Sequence, residues 1–222
     1  MTLARRSLAE AFGTFGFVFL GCAATLADVF PEGRFDTLEI AFAHAAALGL
    51  FITATMAISG GHLNPAVTLG FYSTRRIDGK TAGAYILAQL AGAVLAIVAL
   101  KYSFPLNLTR ISILGTPAVA GSVTFGHGVA IEALGTFVLM SAVYGTIVSQ
   151  ERPPLGGFGV GIALLAIILA IGPVTGGVVN PARAFGPALV SGTWIGQLIW
   201  WIGPILGAVL AAQLWERGLM KK

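Results

Sequence analysis

Hydrophobic residues are grouped along the chain into long runs that contain very few charged side chains. Each run is about as long as the ~20 residues that an α-helix needs to cross the hydrocarbon core of a bilayer. The pattern therefore predicts an all-α membrane protein with six transmembrane helices. The predicted spans are residues 11–27, 40–58, 82–100, 128–148, 158–174 and 195–214.

Composition supports the same fold class. Hydrophobic residues make up 56% of the 222 residues and charged residues only 10%, whereas soluble domains carry about 25% charged residues.

The apolar stretch after Arg5 and Arg6 is too long for a signal peptide and contains Glu10, so we expect it to form the first span. The only cysteine, Cys22, is interpreted as a small apolar residue inside that span.

A net charge of +4 could indicate a nucleic-acid partner, but the basic residues lie mainly in the connections between spans. Nine fall on the side that holds both termini and three on the opposite side. The positive-inside rule then predicts cytoplasmic termini. We expect no nucleic-acid partner and a multi-pass protein of the plasma (cell inner) membrane. The nine are Arg5, Arg6, Arg75, Arg76, Lys80, Arg152, Arg217, Lys221 and Lys222, and the three are Arg34, Lys101 and Arg110.

The chain contains an internal repeat. Residues 59–70 recur as residues 175–186, and two shorter echoes occur in the same order, 9–15 with 131–137 and 91–96 with 206–211. Three spans per half is an odd number, so the two halves must lie upside down to each other across the bilayer. We therefore expect one integral membrane domain built as an inverted repeat, with a first half at 1–110 and a second half at 111–222.

Each copy of the repeated block predicts a short helix that enters the membrane only halfway. A glycine pair that permits a tight reversal precedes an Asn that can cap a helix and a Pro suited to the first helical position. We expect half-helices at 65–73 and 181–191, each too short to span alone. The two triplets that begin them are Asn64-Pro65-Ala66 and Asn180-Pro181-Ala182.

Two half-helices that meet at their N-termini would place two positive dipole ends at the centre of the membrane, where they repel cations. The side-chain amides of Asn64 and Asn180 would lie at the same point. An amide that holds a passing water molecule orients it and interrupts the chain of hydrogen bonds along which protons could travel. This arrangement favours a channel for neutral molecules.

The duplicated block between long spans resembles that of the aquaporin, or major intrinsic protein, family, and the resemblance covers nearly the whole chain. The family selects its solute at four positions on the extracellular side, fixed relative to the two asparagines. Strict water channels usually have Phe, His and a small polar residue at the first three, and this chain departs at each of them. The corresponding residues here are His44, Ile168, Gly177 and Arg183.

This set is similar to that of plant vacuolar aquaporins that pass ammonia as well as water. The resemblance therefore implies a passive channel for water and ammonia that excludes protons and ions. A glycerol or urea facilitator is the alternative. Glycerol facilitators usually carry an Asp and a Lys or Arg where this chain has Ala184 and Ala188, and Trp200 with Trp201 resembles the aromatic pair of water channels.

The resemblance assigns further roles. Glu10 and Glu132 would brace the two re-entrant loops from within the membrane. His127 could contribute to the extracellular mouth or sense pH, although an ordinary interfacial histidine is the simpler interpretation. The family's homotetramer is expected by resemblance alone. The backbone carbonyls expected to line the pore belong to Gly60, Gly61, His62 and Leu63, and the side chain of His62 is expected to pack within the loop.

Catalysis is not expected. The three histidines are scattered, and the chain has no Ser-His-Asp or His-Glu-x-x-His arrangement, so we predict neither an enzyme nor a cofactor or metal site. A purely structural junction protein of the same fold is a further alternative. Permeability measurements on vesicles would distinguish it from a channel.

Overall fold

The structure is a computed structural model that describes residues 1–30 and 36–220. Within these residues all regular secondary structure is helical, and the predicted all-α class is confirmed. The helices are α1 (Leu3–Ala27), α2 (Thr37–Ser59), α3 (Pro65–Ser73), α4 (Gly79–Ser103), α5 (Leu106–Ile111), α6 (Phe125–Val143), α7 (Gly157–Thr175), α8 (Pro181–Ser191) and α9 (Ile199–Leu214).

Six helices in the described part of the chain are long and apolar enough to cross a membrane, namely α1, α2, α4, α6, α7 and α9. Two of them end in a single π-helical turn, Tyr144–Val148 after α6 and Trp215–Leu219 after α9. The last span begins at Ile199 rather than at residue 195, because Gly196 adopts a left-handed conformation with φ of 80° within the preceding turn.

The helix order places both described ends of the chain on one side of the membrane, together with the connections between α3 and α4 and between α6 and α7. The described basic residues of the larger group, from which cytoplasmic termini were predicted, lie in or next to these segments, whereas Lys101 and Arg110 lie on the opposite side. Arg34, Lys221 and Lys222, which also entered that prediction, lie outside the described residues.

The two short helices α3 and α8 follow sharp reversals of the chain. Gly60 and Gly176 end α2 and α7 with φ of 99° and 89°, and the glycine after each is also left-handed. Side chains rarely adopt this conformation, so the Gly-Gly pairs allow the chain to turn back into the bundle. Both half-helices then pack mainly on a spanning helix of the other half, α3 against α9 and α8 against α4.

The packing of the helices is the same in the two halves. Helix α1 packs on α2 and α4, and α6 packs on α7 and α9, while α2 and α7 pack on each other. Exchanging α1 to α4 for α6 to α9 leaves this pattern unchanged. Such symmetry is what an inverted repeat requires.

The end of α3 is tied to the ends of α6 and α9 by polar contacts that the sequence did not predict. Arg76 forms an ion pair with Glu216, and the Tyr144 hydroxyl donates to the same carboxylate at 3.1 Å. The Tyr144 ring also stacks on Trp215. The two π-helical turns supply Tyr144, Trp215 and Glu216, so they hold the C-terminal end of α3 in place.

Glycines let the spanning helices approach closely. A Cβ atom on Gly92 of α4 would lie 2.2 Å from the carbonyl oxygen of Ala11, and one on Gly207 of α9 would lie 2.0 Å from that of Ala133. The obstacle is backbone in both cases, so it cannot move aside as a side chain could. These two contacts set the distance between α1 and α4 and between α6 and α9.

We predict that Gly207→Ala lowers the thermal unfolding midpoint of the purified protein in detergent, because α6 and α9 must separate to admit the methyl group. Overpacking of this kind costs about 1–3 kcal/mol. Gly83→Ala in α4 is the matched control, since a Cβ there meets nothing within 4 Å. Equal midpoints for the two variants would contradict the packing argument.

Candidate channel site

The two half-helices begin at the asparagines of the repeated triplets. Asn64 caps α3, and its Oδ1 accepts from the backbone N–H of Ala66 at 2.9 Å. Asn180 caps α8 in the same way, accepting from Ala182 at 3.0 Å and Arg183 at 3.3 Å. Each cap satisfies N–H groups that a helix start leaves without a partner.

Each asparagine also closes the loop of the other half. Asn64 Nδ2 donates to the carbonyl of Val179 at 2.8 Å, and Asn180 Nδ2 donates to the carbonyl of Leu63 at 3.0 Å. An amide nitrogen carries two hydrogens, so one on each asparagine remains for another acceptor. The carbonyl of Leu63, expected to face a pore, therefore already has one partner.

These reciprocal bonds depend on an unusual backbone conformation. Leu63 and Val179 are both left-handed, with φ of 50° and 45°, and branched side chains rarely adopt such values. Residues in sparsely populated conformations cost on the order of 1–3 kcal/mol each and persist where the surroundings hold them. Here the surroundings are two buried carboxylates.

Glu10 holds the first loop. Its carboxylate accepts from the backbone N–H groups of His62 at 3.0 Å and Leu63 at 2.7 Å, and from the Ser59 hydroxyl at 2.6 Å. Gln89 on α4 donates to the same carboxylate at 2.8 Å. The side chain of Glu10 is fully buried, so these four donors replace the water that a carboxylate otherwise requires.

Glu132 holds the second loop with donors equivalent to three of the four that Glu10 has. It accepts from the backbone N–H groups of Val178 at 3.0 Å and Val179 at 2.7 Å, and from the Thr175 hydroxyl at 2.7 Å. Trp200 then fixes Thr175 by donating its indole N–H to the Thr175 carbonyl at 2.9 Å. The structure thus places both glutamates directly against the re-entrant loops.

The first loop has additional polar partners that sequence reasoning missed. The Tyr85 hydroxyl donates to the Ser59 carbonyl at 2.7 Å, as the Trp200 indole N–H donates to the Thr175 carbonyl in the second half.

A second group of contacts surrounds His62. Gln89 donates to the Thr68 hydroxyl at 2.9 Å, and this hydroxyl lies 3.1 Å from His62 Nδ1. The His62 ring is buried and stacks on Phe71. It packs within the loop, where the sequence placed it.

The four residues that the family resemblance implies as the solute filter line one cavity of about 350 Å³, on the face opposite the described chain ends. The cavity is bounded by the outer ends of α1, α2 and α7 and by the segment 115–118. His127 does not line it. That residue is exposed in the first turn of α6, where its Nδ1 lies 3.1 Å from the hydroxyl of the N-cap Thr124. The four residues that the cavity brings together are His44, Ile168, Gly177 and Arg183.

Arg183, which lines this cavity, is held by two acceptors. Its Nη1 donates to the carbonyl of Gly115 at 2.7 Å, and its Nη2 lies 3.3 Å from His44 Nε2. A guanidinium has five N–H groups, so others remain available to a solute. Gly115 carried no sequence signal, because the segment around it matches no motif and contributes only a backbone oxygen.

The hydrogen bonds of His44 fix its tautomer. Nδ1 lies 2.9 Å from the carbonyl of Ile40, which can only accept, so Nδ1 carries the proton. In the neutral ring Nε2 is then an acceptor and can receive the N–H of Arg183. Gly21 on α1 makes room for the ring, since a Cβ there would lie 2.5 Å from His44 Cδ2.

Ile168 and Gly177 form an apolar part of the cavity wall. Gly177 has φ of 57°, and a Cβ atom on it would lie 3.1 Å from Ile168 Cα. A larger residue at position 177 would therefore strain the backbone and press on α7. Ala184 and Ala188, at positions where glycerol facilitators usually carry charges, are fully buried in α8.

Six spanning helices around two half-helices, whose capping asparagines complete each other's loops, define an integral membrane channel with an inverted repeat. Residues 1–215 match the family described as Major intrinsic protein. The chain belongs to this family, the aquaporins, as its sequence predicted.

Several curated relatives are plant proteins of one type. The chain is 39% identical over 222 residues to Aquaporin TIP4-4 of Zea mays, which covers 96% of this chain and 85% of the maize protein. It is 40% identical over 220 residues to Probable aquaporin TIP-type alpha of Phaseolus vulgaris, covering 96% and 84%. Aquaporin TIP2-1 of Arabidopsis thaliana is 36% identical over 224 residues, covering 97% and 88%. These relatives are channels rather than enzymes.

A solved structure has the same fold. The aquaglyceroporin from Plasmodium falciparum superposes with a TM-score of 0.84 at 23% sequence identity, covering 98% of this chain and 97% of the other. At this identity the likeness concerns the fold alone.

We predict that Glu132→Gln destabilises the protein, because the amide of glutamine has one oxygen where the carboxylate has two. At least one of the N–H groups of Val178 and Val179 then loses its acceptor, and a buried group without a partner costs about 1–3 kcal/mol. The unfolding midpoint in detergent should fall. Glu39→Gln, on the exposed first turn of α2, is the control and should change it little.

Proposed function

We propose that the protein is a passive channel for water that also conducts ammonia and excludes protons and ions. The observation that carries this proposal is the cavity whose wall combines Arg183 and His44 with the apolar pair Ile168 and Gly177. A solute there meets both fixed hydrogen-bonding groups and apolar surface. Water conduction also has support from relatives that are named aquaporins.

Ammonia conduction has support from the apolar half of the wall. Ile168 offers no hydrogen bond, and Gly177 offers no side chain, so a molecule that passes them gives up part of its hydration. Loss of hydration costs a neutral molecule far less than an ion. The positive charge of Arg183 adds repulsion against ammonium, so the neutral form is the one that passes.

Exclusion of protons would occur at the asparagines. The N-termini of α3 and α8 direct their positive dipole ends to the place where Asn64 and Asn180 lie. The remaining N–H group on each amide can donate to a water molecule and fix its orientation. A water molecule that accepts from both amides directs its own hydrogens away, so it cannot pass on a proton from one neighbour to the next.

The organisation of the molecule in the membrane follows from the same reasoning. We propose a division into halves at 1–110 and 111–222, supported by the symmetrical helix packing, and cytoplasmic termini, supported by the basic residues near them. A homotetramer is proposed by family resemblance. The predicted plasma (cell inner) membrane has no support as the host from the TIP-type relatives.

Stopped-flow measurements on proteoliposomes test the solute preference. The parent protein should raise water and ammonia fluxes above those of empty vesicles and leave glycerol and urea fluxes low. In His44→Phe with Ile168→His, we expect the ammonia flux to fall toward that of empty vesicles while water flux remains. Ile162→Leu on the exposed face of α7 is the control and should behave as the parent.

The outcomes of these flux measurements distinguish between the candidate functions. Good water conduction without ammonia flux would leave a water channel and remove ammonia. A glycerol or urea flux that exceeds water flux would favour the facilitator alternative. No permeability to any of the four solutes would indicate a structural junction protein.

Proton exclusion is tested by Asn180→Asp. The carboxylate removes the donor to Leu63 and to water, and its charge offsets the dipoles, so we expect a proton leak that a pH-sensitive dye inside the vesicles can detect. Asn107→Asp makes the same change at an exposed position in α5 and should not leak. A tight Asn180→Asp variant would count against the proposed barrier.

A further inference from the structure

A second cavity of about 320 Å³ lies on the face opposite the described chain ends, between α4, α5 and α8. Lys101, Arg110, Thr109 and Ser191 contribute its polar side chains. It shares none of its lining residues with the cavity that contains Arg183. The apolar part of its wall consists of Leu106, Ile113, Leu114 and Val190.

The charge of this cavity is entirely positive. No acidic residue lines it, and within residues 1–30 and 36–220 the side chains of Lys101 and Arg110 form no ion pair. Two of the three basic residues expected on this face of the membrane are therefore gathered in one depression. Like charges in one depression repel each other, and an anion bound between them would replace this repulsion with attraction.

Favourable interaction with helix dipoles does not explain why both cations lie in this cavity. Lys101 and Arg110 lie in the last turns of α4 and α5, where a cation interacts favourably with the helix dipole. Neither side chain donates a hydrogen bond to a helix carbonyl in the described part of the chain, however, so their N–H groups remain available. Arg110 also belongs to a helix of only six residues, which has a small dipole.

The surroundings of the cavity are apolar and exposed. Leu106 is 56% exposed and Ile113 is 43% exposed, although both also line the cavity. Tyr102 and Ile111, next in sequence to Lys101 and Arg110, are exposed as well. A small soluble anion would use only the cationic part of this surface, whereas a molecule with a phosphate and hydrocarbon chains would use all of it.

We propose that this cavity binds the headgroup of an anionic phospholipid in the leaflet opposite the chain termini. Lys101 and Arg110 contact the phosphate, the arginine through paired N–H groups that match its oxygens. The hydroxyls of Thr109 and Ser191 also line the cavity, but they already bond to the Leu106 carbonyl and to the Thr116 hydroxyl, so the two cations supply the donors to the phosphate. The acyl chains lie along Leu106 and Ile113.

Native mass spectrometry of the detergent-purified protein, titrated with phosphatidylglycerol, tests the site. We expect the parent to bind phosphatidylglycerol more tightly than phosphatidylcholine, and the double variant Lys101→Ala with Arg110→Ala to bind it about tenfold more weakly. The exchange Lys101→Arg with Arg110→Lys keeps both charges and should retain binding. Inorganic phosphate at the same concentration as the lipid should displace little of it.

The matched control removes two exposed basic residues from the other side of the membrane, as Arg5→Ala with Lys80→Ala. It has the same net charge as the first double variant and should bind the lipid as the parent does. Equal loss of binding in the two double variants would mean general electrostatic attraction and overturn the site. Unchanged binding in Lys101→Ala with Arg110→Ala, or complete displacement by inorganic phosphate, would overturn it too.

Discussion

The structure depends on the fact that backbone N–H groups within a membrane must find partners inside the protein. Two loops of this chain leave helical conformation at that depth, and one buried carboxylate meets the need of each. Glu10 and Glu132 accept from two successive N–H groups and from the hydroxyl that ends the preceding helix. The loops can then adopt the left-handed turns that direct Asn64 and Asn180 toward each other.

The two halves use different side chains to donate hydrogen bonds to equivalent groups of the re-entrant loops. A tyrosine in α4 and a tryptophan in α9 donate to the carbonyl of equivalent residues, Ser59 and Thr175. The first half adds Gln89, which connects Glu10 to Thr68 and hence to His62. The repeat therefore conserves the positions of donors and acceptors more closely than the residues that carry them.

Much of the fold could be predicted from sequence because its signals are local. Runs of apolar residues indicate spans, and an Asn-Pro pair after two glycines indicates a helix start. The partners across the bundle could not be predicted in this way. Gly115 holds Arg183 through a backbone oxygen, which has no residue-type signal, and the left-handed Val179 that receives Asn64 is a residue that usually avoids this conformation. Such contacts depend on how distant helices pack.

The reciprocal bonds of the asparagines bear on how the channel is made. During synthesis the first three spans leave the ribosome before Val179 and Asn180 have been added to the chain. Until those residues arrive, the amide of Asn64 and the carbonyl of Leu63 must be satisfied by water or by temporary partners. The first re-entrant loop therefore gains the hydrogen bonds to Val179 and Asn180 only after the second half of the chain has been made, so insertion of the first spans precedes completion of the channel.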